Sequence, residues 1–218
     1  MKKTHSIIKI LDILKKYHKN TMLEELSYFT PFQITIATLL SARSKDVTVI
    51  PIVVKLFEDY PTVQDLIKIS QKELEKRIFK IGFYKTKAKN IKLLCERVIE
   101  EFDGNIPNTL EGLISLPGVG RKTANCVLAY SFNTPAIAVD VHVHRISNKG
   151  RLYFVDTKTP EETEQELMKL VPKKRWHDVN RLLVDHGQRI CGPKKPKCDE
   201  CSIRKYCEYE GKGDYKKA

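Results

Sequence analysis

The sequence predicts an all-α fold, and three observations support that prediction. Apolar residues recur at helical spacing along most of the chain, period-two alternation is nearly absent, and helix start and stop signals bracket the periodic segments. The chain has 218 residues, of which 41% are hydrophobic, so it can bury the core of one large domain or of two small ones. We expect roughly ten helices packed on one another.

The N-terminal segment predicts an amphipathic helix, because Ile7, Ile8, Leu11 and Leu14 share one face. Lysine and histidine interrupt its apolar stretch and it has no small-residue cleavage site, which argues against a secretory signal. No apolar run is long enough to span a bilayer. The next helix is predicted to begin at Pro31, since proline suits a first helical turn.

The middle of the chain carries further helix signals. Pro51 lies inside "DVTVIPIVVKLFEDY", so we expect a helix that starts late, at Pro51, or a local irregularity there. Ser70 and Glu73 have capping-box spacing and predict a helix that ends on Gly82, and the long amphipathic helix after it is predicted to stop near residues 103–104. Later helices are predicted for "TLEGLISL", "RKTANCVLAYSF", "VDVHVHRISNKG", "PEETEQELMKLV" and "KRWHDVNRLLVDHGQRIC".

The charge balance indicates a polyanionic partner. The chain has 39 lysine and arginine residues against 27 acidic ones, a formal net charge of +12. An excess of this size favours nucleic acid, with an anionic membrane surface as the weaker candidate. We expect a soluble, intracellular protein.

The six cysteines fall into two groups. Cys95 and Cys126 lie in helical patterns where a small apolar residue fits, so we expect both to be buried structural thiols. The other four lie within 17 residues with the spacing C-x6-C-x2-C-x5-C, which is typical of metal ligands. Four thiolates suit zinc as well as an iron–sulfur cluster. These candidate ligands are Cys191, Cys198, Cys201 and Cys207.

The stretch "LPGVGRKTA", residues 116–124, predicts a tight turn between two helices. Gly118 and Gly120 allow close approach of another molecule, and the amides of the turn, Val119 included, and of the next helix suit phosphate binding. A plain helix connection closed by glycines is the alternative. Arg121 and a lysine follow at once in a basic chain, which favours phosphate binding.

That lysine, Lys122, stands at the start of the second helix, where the helix dipole and partial burial are expected to lower its pKa and favour the nucleophilic amine. A simple phosphate contact is the alternative role. Asp140 follows an apolar run and precedes a helical pattern, so capping is its favoured role on sequence alone. An ionised carboxylate near an amine nucleophile also suits a transition state with oxocarbenium character.

Taken in order, "LPGVGRKTAN", then "IAVDVHVHR" with Asp140 18 residues after Lys122, then the four cysteines resemble the endonuclease III family of DNA glycosylases with lyase activity. "PFQITIATLLSARSKD" and "KIGFYKTKAKNI" resemble that family's earlier segments, so the likeness covers nearly the whole chain. It implies a two-domain helix-hairpin-helix glycosylase fold: a six-helix barrel over 22–134, and a discontinuous domain of 1–21 plus 135–218 with a [4Fe-4S] cluster. It also implies that the catalytic pair lies in the cleft between the domains.

Position by position, the resemblance gives Lys122 the place of the nucleophile, Asp140 that of the catalytic aspartate, and the four clustered cysteines those of the cluster ligands. The implied reaction is base excision through a Schiff base, followed by β-elimination. The implied substrate is double-stranded DNA with oxidised pyrimidines or abasic sites, its damaged nucleotide flipped out of the helix. The protein is expected to act as a monomer, in the cytoplasm at the nucleoid.

Other positions matter for DNA contact. Arg43 stands where family members often have glutamine, and Phe83 stands near the family's apolar wedge. Both are candidates to fill the gap left by the flipped nucleotide, and both also suit plain surface packing. Arginine only donates hydrogen bonds whereas glutamine also accepts them, so the preference for the opposite base stays open. The loop "CGPKKPKC" adds three lysines that suit phosphate contact: Lys194, Lys195 and Lys197.

Several other residue roles and protein classes fit the sequence less well. His142 and His144 are expected to be packed, hydrogen-bonding residues and have no catalytic role here. Related adenine glycosylases need a glutamate that "ITIATLLSARSKD" lacks, and mismatch thymine or uracil glycosylases usually lack the lysine. A non-catalytic DNA binder would not need Lys122 and Asp140 together. An electron carrier would need only the cysteines, whose spacing differs from the bacterial ferredoxin pattern.

Overall fold

The computed structural model describes residues 2–209, with side chains from residue 7 onward. These residues contain helices and no β-strand, which confirms the all-α prediction. None of the helices they form is long and apolar enough to cross a lipid bilayer. The α-helices are α1 Lys2–Lys15, α2 Met22–Glu25, α3 Pro31–Ser41, α4 Asp46–Asp59, α5 Val63–Leu66, α6 Gln71–Arg77, α7 Tyr84–Phe102, α8 Leu110–Ser115, α9 Arg121–Ser131, α10 Val141–Ser147, α11 Pro160–Leu170 and α12 Trp176–Arg189.

The chain divides into two compact units. One is Met22–Thr134, which contains α2 to α9. The other joins the residues up to Thr21 with those from Pro135 onward, and it contains α1 and α10 to α12. Short 3-10 turns at Lys173–Arg175, Cys198–Glu200 and Arg204–Tyr206 belong to this second unit.

In the unit Met22–Thr134, α3 is the most deeply buried helix. It begins at Pro31 as predicted, and Thr30 and Gln33 form a capping box before it. Its mostly apolar sequence is buried on nearly all sides, and it packs against α4, α7 and α9.

The predicted late start of the helix at Pro51 is wrong. Helix α4 begins at Asp46 and runs through Pro51 without a late start. Pro51 is exposed, whereas Val49, Val53 and Leu56 are buried. Burial of this apolar face outweighs the hydrogen bond that proline removes, so packing decides where the helix begins.

The ends of α6 and α7 differ in how well the sequence predicts them. Ser70 caps α6 by accepting from the amide of Glu73, as expected, but the helix ends at Arg77 and not at Gly82. A turn follows, in which the amide of Ile81 donates to the carbonyl of Ile78. Helix α7 ends at Phe102 before two left-handed residues at 103–104, which confirms its predicted stop.

The second unit is built around α12. Helix α1 presents the buried residues Ile7, Leu11 and Leu14, which confirms its amphipathic pattern, and it packs against α11 and α12. Helix α10 also packs on α12, so closely that a Cβ on Gly187 would lie 2.6 Å from the Nδ1 of His142. Glycine at that position permits the close approach of the two helices.

Candidate nucleic-acid and catalytic site

The predicted helical hairpin is present, with α8 and α9 joined by the turn at 116–120. Gly118 has φ +80°, and a Cβ there would lie 2.9 Å from Asn90 Nδ2 and 3.0 Å from Leu39 Cδ1. Gly120 differs: it caps α9 with φ −90°, and nothing lies within 4 Å of an added Cβ. Gly118 is therefore required by conformation and packing, whereas Gly120 leaves open space beside the start of α9.

The residues around Gly120 divide between packing and surface. The Val119 side chain is buried, and its amide donates to the carbonyl of Leu116 at 3.0 Å, so its described contacts hold the turn together. Arg121 and Lys122 are half-buried in the first turn of α9. A helix of this length carries a partial positive charge at its N-terminus, which favours an anion there.

The backbone of Lys122 is held firmly by its neighbours on α9. Thr123 and Ala124 are buried, and α9 packs along α3 in the core of its unit. The amide of Ala124 donates to the carbonyl of Gly120 at 2.9 Å, which starts the helix directly after the turn. The hairpin thus fixes the position from which the Lys122 side chain leaves the helix.

Asp140 caps α10, as the sequence predicts. Its Oδ1 accepts hydrogen bonds from the amides of His142 and Val143, each at 2.9 Å. Both capping bonds use the same oxygen, so Oδ2 takes no part in the cap. The side chain is half-buried, and the cap engages only one of its two carboxylate oxygens.

Arg43 and Phe83 lie close together although 40 positions separate them in the chain. Both are exposed and both adopt left-handed backbone conformations, with φ +56° and +60°. The guanidinium carbon of Arg43 lies 5.5 Å from the centroid of the Phe83 ring. A Cβ on the neighbouring Gly82 would lie 3.3 Å from the Arg43 carbonyl oxygen, so the two segments pack closely. The sequence did not predict this pairing.

Lys87 of α7 is a residue of this region that the sequence analysis missed. Its Nζ is buried and donates to the carbonyl of Leu40 at 2.8 Å and to that of Ala42 at 2.6 Å, and it lies 3.4 Å from Ser44 Oγ. Burial lowers the pKa of Lys87 to about 8. The sequence pattern could have indicated this burial. Lys87 lies one helical turn before the buried Ile91, so it falls on the apolar face of α7.

The four clustered cysteines line one cavity of the second unit. Cys191 and Cys198 are buried, and the other two are half-buried. Among residues 7–209, no group of three His, Cys, Asp or Glu side chains is arranged to hold a metal ion. Burial raises the pKa of Cys191 and raises that of Cys201 to about 11. A group bound through these sulfurs must therefore displace their protons.

Cationic side chains lie beside this cavity. Arg151 lines it, and its guanidinium opposes the rise that burial causes in the pKa of Cys191 and Cys198. Arg145 donates from Nη2 to the carbonyl of Cys191 at 2.7 Å. Neither arginine was a predicted site residue, although Arg145 ends the motif "IAVDVHVHR".

The remaining predicted positions are consistent with their expected surroundings. Cys95 and Cys126 are buried in the unit Met22–Thr134, which confirms the structural reading of both thiols. His144 is hydrogen-bonded, with Nδ1 2.7 Å from Thr163 Oγ1, as expected of a packed histidine.

The three lysines of the cysteine loop are exposed, as phosphate contact requires. The Nζ of one of them, Lys197, lies 3.9 Å from Oε2 of Glu200, and both side chains are largely exposed. Such a pair contributes little to stability in water. The other two are Lys194 and Lys195.

Comparisons with known proteins match most of the chain. The family model of the HhH-GPD superfamily of base excision DNA repair proteins matches residues 36–173. The chain is 43% identical to endonuclease III of Thermotoga maritima over 206 residues, which cover 93% of each protein. It is 38% identical to endonuclease III of Escherichia coli K12 over 208 residues, covering 94% of this chain and 98% of that protein.

Solved structures give the same result. A trapped endonuclease III–DNA covalent intermediate matches with a TM-score of 0.84 at 36% identity, over 94% of this chain and 96% of that chain. A thermostable thymine-DNA glycosylase matches with a TM-score of 0.81 at 29% identity, over 95% and 96%. The chain therefore belongs to the HhH-GPD superfamily of base excision DNA repair proteins and, within it, to the endonuclease III family of DNA glycosylases with AP lyase activity.

Proposed function

We propose that the protein removes oxidised pyrimidines from double-stranded DNA and nicks the resulting abasic site by β-elimination, with Lys122 as the nucleophile. The observation that carries this proposal is the position of Lys122 in the first turn of α9, directly after the hairpin turn. This is the place of the nucleophile in the family that the chain resembles. A similar solved structure is, by its description, a trapped covalent endonuclease III–DNA intermediate.

The proposed reaction has three steps. The neutral Lys122 amine attacks C1′ of the flipped nucleotide, the glycosidic bond breaks, and the base leaves with a proton. The sugar ring then opens as O4′ takes a proton, which leaves a Schiff base between C1′ and the lysine nitrogen. Loss of a proton from C2′ expels the 3′ phosphate group, so the strand breaks 3′ to the lesion.

Asp140 is proposed to stabilise the positive charge that develops on the sugar as the base departs. Its cap uses Oδ1 for both backbone bonds, which supports a second role for Oδ2. The cap fixes the carboxylate, and a fixed charge stabilises a transition state without further reorganisation. Capping and catalysis are thus compatible in one residue.

The DNA contacts are proposed to come from three places. The hairpin turn and the start of α9 hold phosphate through Gly118, Val119, Gly120 and Arg121, with Val119 acting through the turn it stabilises. Arg43 and Phe83 fill the space left by the flipped nucleotide. The exposed loop lysines 194, 195 and 197 contact phosphate. We assign Met22–Thr134 as the helical barrel domain of a monomeric enzyme that works at the nucleoid.

We further propose that Cys191, Cys198, Cys201 and Cys207 bind a [4Fe-4S] cluster. The donor set supports this assignment, because four thiols line one cavity and the cationic Arg151 beside them would offset the charge of a thiolate-bound cluster. When bound, the cluster would cross-link the segment 191–207 and hold the lysine loop in place. It has no step in the proposed reaction.

Borohydride trapping tests the proposed mechanism. Reduction during reaction with a damaged or abasic duplex is expected to give a covalent protein–DNA adduct, and Lys122→Gln is expected to abolish both adduct and strand cleavage. DNA affinity should change little, because one cation is lost from a broadly basic surface. If Lys122→Gln weakens binding strongly while the bound complex still nicks DNA, Lys122 is a phosphate anchor and the proposal fails.

A panel of duplexes tests the substrate class. Each duplex carries one defined lesion, either an oxidised pyrimidine such as thymine glycol, an oxidised purine or a G·T mismatch, opposite each of the natural bases. Excision confined to the oxidised pyrimidines and cleavage at abasic sites is the expected result. Preferential excision of thymine from the mismatch would instead favour the thymine-DNA glycosylase activity of the similar thermostable protein.

A further inference from the structure

We infer that Lys87 is a positioning residue that sets how the enzyme engages the base opposite the lesion, because it holds the turn of Arg43 against Phe83. This inference rests on the proposed role of Arg43 and Phe83 in filling the gap left by the flipped nucleotide. Lys87 belongs to neither the hairpin nor the proposed catalytic pair, so its effect should be separable from the chemistry at Lys122.

The first step of the argument is the end of α3. The last carbonyl groups of a helix have no partner within the helix and need donors from elsewhere. Helix α3 ends at Ser41, and Lys87 Nζ donates to the carbonyls of Leu40 and Ala42 on either side of that residue. The ammonium group of Lys87 therefore caps α3 from a different helix, with additional contact to Ser44.

The second step is the conformation of Arg43, which lies between two of these contacts. Its φ of +56° is uncommon for a residue with a side chain and persists only where neighbouring contacts enforce it. Lys87 holds Ala42 before it and approaches Ser44 after it. These contacts of Lys87 thus constrain the backbone on both sides of Arg43, and they therefore also constrain the direction of the arginine side chain.

The third step is the link to Phe83. The backbone amide of Lys87 donates to the carbonyl of Phe83 at 3.0 Å, in the first turn of α7. One residue therefore bonds Phe83 through its main chain and the neighbours of Arg43 through its side chain. The 5.5 Å approach of the Arg43 guanidinium to the Phe83 ring is the geometry that this double attachment stabilises.

Lys92 of the same helix offers a matched control. Its Nζ donates to the carbonyl of Ile67 and, at 2.7 Å, to that of Ile69, so it also joins an ammonium group to backbone carbonyls at the end of a short helix. These carbonyls are remote in sequence from the Arg43 turn. Replacing either lysine by methionine removes a comparable set of bonds, and only Lys87→Met removes those around Arg43.

The test uses the intact protein and duplexes with a stable abasic-site analogue opposite 2-aminopurine. The fluorescence of 2-aminopurine reports its stacking, which changes when side chains enter the space beside it. We expect Arg43→Ala and Lys87→Met each to lose most of the binding-induced fluorescence change, and Lys92→Met to retain it. The double variant Lys87→Met/Arg43→Ala should lose no more than either single variant, because both act on the same contact.

Two results would overturn the inference, and they differ in what else they affect. If Arg43→Ala loses the signal while Lys87→Met keeps it, Lys87 only stabilises the fold and the proposed function is untouched. If Arg43→Ala keeps the signal, the gap-filling role fails together with this inference, while Schiff-base trapping still tests the lyase reaction. Lys87→Gln, which keeps a shorter uncharged donor, carries the same expectation should the methionine variant fail to fold.

Discussion

At the scale of single residues, Asp140 shows how one side chain can serve structure and chemistry together. Its Oδ1 accepts both capping bonds, so the fold needs an acceptor at this position but not a charge. The proposed reaction needs the charge. Asparagine and alanine therefore separate the two requirements, because asparagine is also a good N-cap.

Asp140→Asn is expected to keep the stability of the protein while slowing base removal by roughly 10²–10³-fold, the usual cost of losing a preorganised electrostatic contact. Asp140→Ala should show the same kinetic loss and also lower the free energy of unfolding by about 1 kcal/mol through loss of the cap. Single-turnover excision and chemical denaturation measure the two effects. Normal excision by Asp140→Asn would contradict the catalytic role.

The two glycines of the hairpin turn also have different requirements. Gly118 has a positive φ, and a Cβ there would meet Asn90 and Leu39 at 3.0 Å or less. Gly120 has an ordinary backbone conformation and open space around it. The fold depends on the first, and a ligand that approaches the backbone closely would depend on the second.

We expect Gly118→Ala to lower the free energy of unfolding by about 1–3 kcal/mol through strain and crowding. Gly120→Ala should lower it by about 0.5–1 kcal/mol, because alanine is a poorer N-cap than glycine. It should also weaken binding to an abasic-site duplex, since its methyl group occupies the space that a phosphate would approach. Denaturation curves and binding isotherms distinguish these outcomes. Unchanged DNA affinity of Gly120→Ala would argue against close phosphate contact at this turn.

At the scale of elements, α4 shows tertiary packing overriding local preference. Pro51 removes one backbone hydrogen bond from the interior of the helix, yet the helix continues through it because its apolar face is buried. The proline is exposed and contributes little to that face. Replacing Pro51 should therefore stabilise α4.

Pro51→Ala is expected to raise the free energy of unfolding by about 1–3 kcal/mol, because alanine restores the amide donor and has a higher helix propensity. Base excision should be unchanged, since Pro51 has no part in the proposed DNA contacts. Thermal and urea unfolding measure the gain. A loss of stability would mean that the proline restricts the unfolded chain more than it disturbs the helix.

At the scale of the whole molecule, a net charge of +12 accounts for a polyanionic partner but not for where the DNA is held. The loop of exposed lysines lies between two of the clustered cysteines. The proposed cluster would therefore hold this basic loop in place when it binds. The hairpin glycines lie in the other unit. DNA contact is thus proposed for both units of the chain.

The metal content of the purified protein tests the proposed cluster directly. Protein purified without oxygen is expected to be yellow-brown, with broad absorbance at about 400 nm and about four iron atoms per chain. Loss of the cluster should lower DNA affinity, because the segment of Lys194 and Lys195 loses its cross-link. A colourless preparation that contains zinc would contradict the assignment.

Much of the fold and of the candidate site could be predicted from local sequence. The Asp140 cap, the start of α3 at Pro31 and the end of α7 near residues 103–104 all depend on groups within a few residues of one another. The hairpin and the cysteine spacing are equally local, and they carried the family resemblance that the comparisons confirmed. Capping, turn chemistry and ligand spacing act over short distances, so the sequence alone determines them.

Only the tertiary structure decided the contacts between distant segments. Arg43 and Phe83 form a pair because Lys87 joins the end of α3 to the start of α7, and no local pattern encodes that contact. Gly118 must be glycine partly because Asn90 and Leu39 crowd it, and Pro51 is tolerated because the opposite face of α4 is buried. Such contacts depend on which surfaces the packed helices bring together, since burial and close packing are properties of the whole unit.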